Sequence, residues 1–168
     1  MAITQKILSE TISELLVTHA PLVHIAVRQR AKFEGWLKFE LVLDLSKTFS
    51  DAQVEFPCKG KHIDLLAGDS LIELKTINTN YRMEGVETKI RPITKNIKGI
   101  TDDIDKLRDL KSDKPAYIAF VMFPIDNCQY IKHINKIEAH LGDNILDVYH
   151  QTVNIQGTNV LIFSARVN

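Results

Sequence analysis

Lys61-His62-Ile63-Asp64-Leu65-Leu66-Ala67-Gly68-Asp69-Ser70-Leu71-Ile72-Glu73-Leu74-Lys75 is the stretch that decides the fold. Two short apolar runs flank a Gly-Asp-Ser turn, which predicts two strands able to pair as a hairpin. Side chains alternate faces along a strand, so Glu73 and Lys75 share a face with Leu71, while Ile72 and Leu74 point the other way. Pairing of the two strands brings Asp64 beside Glu73. Two carboxylates and an ammonium on a partly buried surface are costly unless something offsets them. A divalent cation is the usual offset.

The rest of the chain supplies the layers around this hairpin. Ile7, Leu8, Ile12, Leu15 and Leu16 recur at helical spacing and predict a first helix over 4–18. After Pro21 the pattern predicts one longer helix over about 22–45. Strands are expected over 54–56, 62–67 and 71–77. The stretch 78–100 has the least regular pattern and reads as a functional loop, followed by a helix from 101 or 102 to about 111. A strong apolar strand over 116–123, an amphipathic helix over 129–141 and strands over 145–149, 153–156 and 160–167 complete the chain. The alternation of strands and helices predicts one α/β domain over residues 1–168.

Composition narrows the function classes. With 45% hydrophobic and 25% charged residues the chain reads as an ordinary globular protein. No apolar run reaches the ~18–20 residues of a membrane span, and the start lacks a signal-peptide layout. Cys58 and Cys128 lie too far apart for a zinc motif and form no disulfide framework, so a cytoplasmic setting without membrane partners is expected. Net charge is zero, yet between Thr76 and Lys98 five basic residues (Arg82, Lys89, Arg91, Lys95, Lys98) stand against two acids (Glu84, Glu87). These five are candidate phosphate-backbone contacts, which give affinity without sequence information. No glycine-rich phosphate cradle or dinucleotide fingerprint is present.

An acid-x-Lys triplet means little by itself. Glu87-Thr88-Lys89 and Asp109-Leu110-Lys111 match it as well, but Asn78 and Ile100 stand nine positions before their acids. Only Glu73-Leu74-Lys75 lies on an apolar strand with an acid, Asp64, nine positions upstream across a turn.

In this combination the chain resembles the PD-(D/E)XK nuclease superfamily over roughly residues 30–123. The resemblance implies a restriction-endonuclease-like fold: a central mixed β-sheet flanked by helices, with a core over about 22–123 and helix and strand additions at both ends. It implies a metal-dependent endonuclease that hydrolyses phosphodiester bonds, of restriction, repair or defence type. Asp64 and Glu73 would be the metal-binding acids, the Leu74 carbonyl a further ligand and Lys75 the catalytic lysine. The family's proline before the aspartate is Ile63 here. Mg2+ suits such oxygen donors and Mn2+ would substitute. Nucleic acid is the implied partner, DNA favoured over RNA, and a homodimer would let so small a domain cut both strands. The alternative is a catalytically inactive member of the fold, acting as a nucleic-acid-binding or protein-interaction module.

The family often adds a glutamate from the preceding helix. At 100° per residue Glu40 falls among Phe33, Trp36, Leu37 and Leu43, near the middle of the apolar stripe, and Glu34 falls toward its edge. The helical projection therefore favours Glu40 as a further metal-binding, catalytic acid, with Glu34 as the other candidate. Trp36 reads as core, and His62, which shares the Asp64 face, as an ordinary strand histidine.

Overall fold

The computed structural model describes residues 2–89, 92–142 and 147–167. Its elements are α1 (Gln5–Thr18), α2 (Ala20–Gln29), α3 (Glu34–Leu45), β1 (Gln53–Cys58), β2 (Lys61–Ala67), β3 (Ser70–Asn78), α4 (Ile93–Asp109), β4 (Ala116–Phe123), α5 (Ile131–Leu141), β5 (Val148–Ile155) and β6 (Thr158–Val167). The strands form one six-stranded sheet in the order β1-β2-β3-β4-β6-β5. Only β3 and β4 run parallel, so the sheet is mixed.

Every residue of β4 is buried, which places it at the centre of three layers. Tyr117, Ala119, Val121 and Phe123 pack with α1, α2 and α3, whereas Ile118, Phe120 and Met122 pack with α4 and α5. A strand covered on both faces reads as a continuous apolar run, as β4 does. β6 pairs with β4 from Ala116↔Val167 to Met122↔Leu161, so the C-terminal strands belong to the same sheet. Among the described residues no helix is long and apolar enough to cross a membrane.

The β2–β3 hairpin closes through Gly68 and Asp69, both left-handed with φ 55° and 59°. Positive φ at both central residues is the type I′ signature that matches strand twist. Asp51 fastens the turn, its carboxylate accepting hydrogen bonds from the Gly68 and Asp69 N–H groups at 2.8 and 2.7 Å. A Cβ on Gly68 would lie 2.8 Å from the Phe49 ring. Gly68→Ala is therefore expected to destabilise the protein by about 1–3 kcal/mol through overpacking and backbone strain, read as a lower midpoint in urea.

Three expectations are corrected. The helix over 22–45 is two helices: Arg30 turns left-handed (φ 50°) and ends α2, and α3 starts at Glu34. The loop is shorter than 78–100, because α4 begins at Ile93 and buries Ile93, Ile97, Ile100, Ile104 and Leu107 against the sheet. Polar Asn96 and Lys98, and Gly99, which disfavours a helix interior, obscured that spacing. The strands over 145–149 and 153–156 join as β5 from Val148 to Ile155, with residues 145 and 146 outside the described residues.

The loop after β3 is also fastened. The buried Arg30 guanidinium donates to the carbonyls of Thr79, Tyr81 and Glu87, Arg28 donates to Gly85, and Lys89 to Gln29.

Candidate active site

The site arises where β2 leaves β3. The β2–β3 pairing runs only from Leu65↔Ile72 to Ala67↔Ser70, while β3 continues to Asn78 beside β4. Past Ile72, the N–H groups on that edge need other acceptors, since a buried unpaired amide is costly. Two carboxylates supply them. Asp64 Oδ2 accepts from the Leu74 N–H at 2.9 Å, and Glu34 Oε2 accepts from the Thr76 N–H at 3.0 Å. A strand residue directs its N–H and C=O to the same neighbour, so the Leu74 carbonyl turns toward this gap too. Thr76 and Asn78, both buried, follow along β3, and the Thr76 hydroxyl and Asn78 amide have no hydrogen-bond partner among the described residues.

Three lysines hold the acids of this edge. Lys38 of α3 reaches Asp64 at 2.6 Å and Glu55 at 3.0 Å. Lys106 of α4 lies 2.5 Å from Glu73, and Lys75 pairs with Asp103 of α4 at 2.9 Å. The alternation along β3 accounts for this, since the face carrying Leu71, Glu73 and Lys75 packs against α4.

Glu73 is only 1% exposed. Burial first, then the Asp64 carboxylate beside it, push its carboxyl up to about 8, against the pull of Lys106. Burial also raises Asp64, but hydrogen bonds from Lys38, the Leu74 N–H and Glu73 outweigh it and hold the carboxyl below its usual range. Burial works against the Lys75 charge, yet Asp103 more than compensates and raises the ammonium above its ordinary value. Lys75 is therefore a cation at neutral pH.

A raised folded-state value means that the contribution of Glu73 to stability is complete below its unfolded value, near 4.5, and is lost as pH rises through about 8. Glu73→Gln lacks this loss. Without added metal, its stability should gain on the parent's across that window, by on the order of a few kcal/mol. Parallel stability–pH curves for the two proteins would contradict it.

Of the two helix acids, it is Glu34 that reaches this edge, through the Thr76 N–H. Glu40 does not join this edge; its carboxylate lies 3.8 Å from the His19 imidazole at the α1–α2 junction. The buried stripe of α3 is Leu37, Leu41 and Leu45, while Phe39 and Leu43 are 66% and 64% exposed. Leu43, counted in the projected stripe, is exposed and drew it toward Glu40.

The basic candidates separate as well. Lys95 lines a cleft with Lys75. Lys89 is engaged with Gln29 and Glu87, and Lys98 with Asp102. Arg82 is exposed on the fastened loop, and Arg91 lies outside the described residues. His62 is exposed; Trp36 is half-buried against Phe33 and His19. Lys38 and Asp103 were missed as site residues. Lys38 stands four residues after Glu34, hence on the same helix face, and Asp103 and Lys106 stand three apart on α4.

Among the described residues no group of three acidic, histidine or cysteine side chains is placed to hold a metal ion. A hard dication would rest on Asp64, Glu73 and the Leu74 carbonyl, without Glu40. The donor chemistry fits: two carboxylates and a carbonyl suit Mg2+, which keeps several waters. A dication would also favour the ionised form of Glu73, which burial and the Asp64 carboxylate oppose. It would compete with Lys38 and Lys106 for them.

No family model, no curated protein and no solved structure matches the chain.

Proposed function

We propose that the chain is a metal-dependent nuclease of the restriction-endonuclease-like fold, hydrolysing phosphodiester bonds with DNA favoured as substrate. One observation carries the reading: Asp64 and buried Glu73 meet beside the free edge of β3, with charged Lys75 two residues on. Bound Mg2+ would supply an activated water and neutralise charge on the attacked phosphate. Asp64 and Glu73 hold the cation's place. Lys75 brings a positive charge to the transition state, and Asp103 keeps that ammonium protonated and oriented. Glu34 secures the strand carrying Lys75 through the Thr76 N–H.

A second reading has its own support. Asp64 and Lys75 are already ion-paired with Lys38 and Asp103, and Lys106 already donates a hydrogen bond to Glu73. Such internal compensation suits an inactive nuclease-fold module that binds nucleic acid or protein.

The test is a labelled panel of single-stranded, duplex and branched DNA and RNA, incubated in magnesium, manganese or EDTA with the protein and with Lys75→Ala. Cleavage that needs metal and Lys75 supports the nuclease. An intact panel, with the protein folded and calorimetry detecting no metal binding, overturns it in favour of the module.

A further inference from the structure

A cleft of about 440 Å3 opens over the free edge of β3, lined in part by Lys32, Lys75, Ile77, Pro92, Lys95 and Asn96. Its three lysines come from three separate places: Lys32 precedes α3, Lys75 lies on β3, and Lys95 stands in the first turn of α4. Among the described residues no acidic side chain lines it. Lys32 and Lys95 are exposed and have no ion-pair partner among the described residues, unlike Lys89 and Lys98. The first turn of α4 carries neither an acidic residue nor a side-chain cap, so its positive dipole end adds to the same field. In a protein with no net charge, Lys32 and Lys95, without an ion-pair partner among the described residues, converge beside Lys75, which Asp103 pairs, and together favour an anion.

We propose that this cleft binds one strand of a nucleic acid through its phosphodiester backbone, with Lys32 and Lys95 holding phosphates next to the bond presented to Lys75. The volume is that of a small-ligand site and accommodates a nucleotide or two of a single strand. Exposed Pro92 offers an apolar surface for sugar or base, and Lys32 and Lys95 contact phosphates without reading sequence. The inference deepens the nuclease reading and rests on it for the cleaved bond, whereas binding itself requires no cleavage.

The experiment is fluorescence anisotropy in EDTA with a labelled 12-nucleotide oligothymidylate, comparing the protein with the Lys32→Ala/Lys95→Ala variant over a salt series. Both side chains are exposed, so the variant is expected to keep the parent's melting temperature. Its affinity should fall about 10-fold or more, and its log–log salt slope should drop by roughly 1–2, since each lost phosphate contact contributes about 0.7 on a single strand. Equal affinity of the two proteins, or no binding by the parent, would overturn the proposal. So would a duplex binding better than the single strand, or thymidine monophosphate competing as well as the 12-mer. A parallel cleavage assay in magnesium separates the two ideas: lost binding with no cleavage by either protein keeps the cleft and removes the nuclease. Cleavage by the parent with unchanged binding in the variant does the reverse.

Discussion

Lys75→Ala is expected to lower metal-dependent cleavage by about 10²- to 10³-fold, the usual cost of deleting one positioned charge or donor aimed at a transition state. The ammonium is half-buried and held charged by Asp103, so no nearby solvent cation replaces it on the same terms. Lys75→Arg keeps the charge but replaces a compact ammonium with a broad planar fork, and should recover only part of the rate. The helix acids provide an internal comparison. Glu34→Gln retains a carbonyl to accept from the Thr76 N–H and should leave the fold intact, with cleavage down about 10- to 100-fold as for a supporting residue of a metal site. Glu40→Gln should leave cleavage unchanged. Initial rates at saturating magnesium, with melting curves for each variant, decide the matter. Loss of activity in Glu40→Gln but not in Glu34→Gln would contradict this account of the site.

Arg30→Ala is expected to have the largest effect on stability, about 4 kcal/mol or more. One buried guanidinium serves three carbonyls, those of Thr79, Tyr81 and Glu87, and hydrogen bonds to a charged group contribute about 1.5–3 kcal/mol each. Removing it leaves those carbonyls without a donor. For a chain of this size the melting temperature should fall by roughly 8–16 °C. Arg30→Gly should be about 1 kcal/mol less damaging than Arg30→Ala, because the backbone there is left-handed with φ 50°. Limited proteolysis supplies a local readout: cutting within 79–89 should accelerate in both variants. An unchanged melting temperature in Arg30→Ala would show that the loop does not depend on this residue.

Most of the scaffold was legible along the chain. β4 is buried on both faces, and its unbroken run of apolar residues from Ala116 to Phe123 gave it away. The β2–β3 hairpin followed from Gly68-Asp69 between two apolar runs, and the alternation along β3 placed Glu73 and Lys75 on one face. These are local consequences of strand period and turn chemistry, and neighbours in sequence suffice to specify them. The break at Arg30 was not legible, because nothing local to an arginine demands a left-handed residue. Its three carbonyl partners, 49 to 57 residues away in sequence, hold it there.

Residue order along the chain was enough to specify an α/β scaffold and the encounter of Asp64 with Glu73 beside Lys75, since period-two alternation and a tight turn operate over a few residues. The tertiary structure alone decided which helix acid serves the strand, which lysines neutralise the acids and where the free cations gather. Those outcomes depend on β2 parting from β3 after Ile72, which leaves the Leu74 and Thr76 N–H groups to Asp64 and Glu34. Selection of a hydrogen-bond partner is a matter of distance in space, and α3 and α4 acquire their distances to β3 only when both helical layers pack on the sheet.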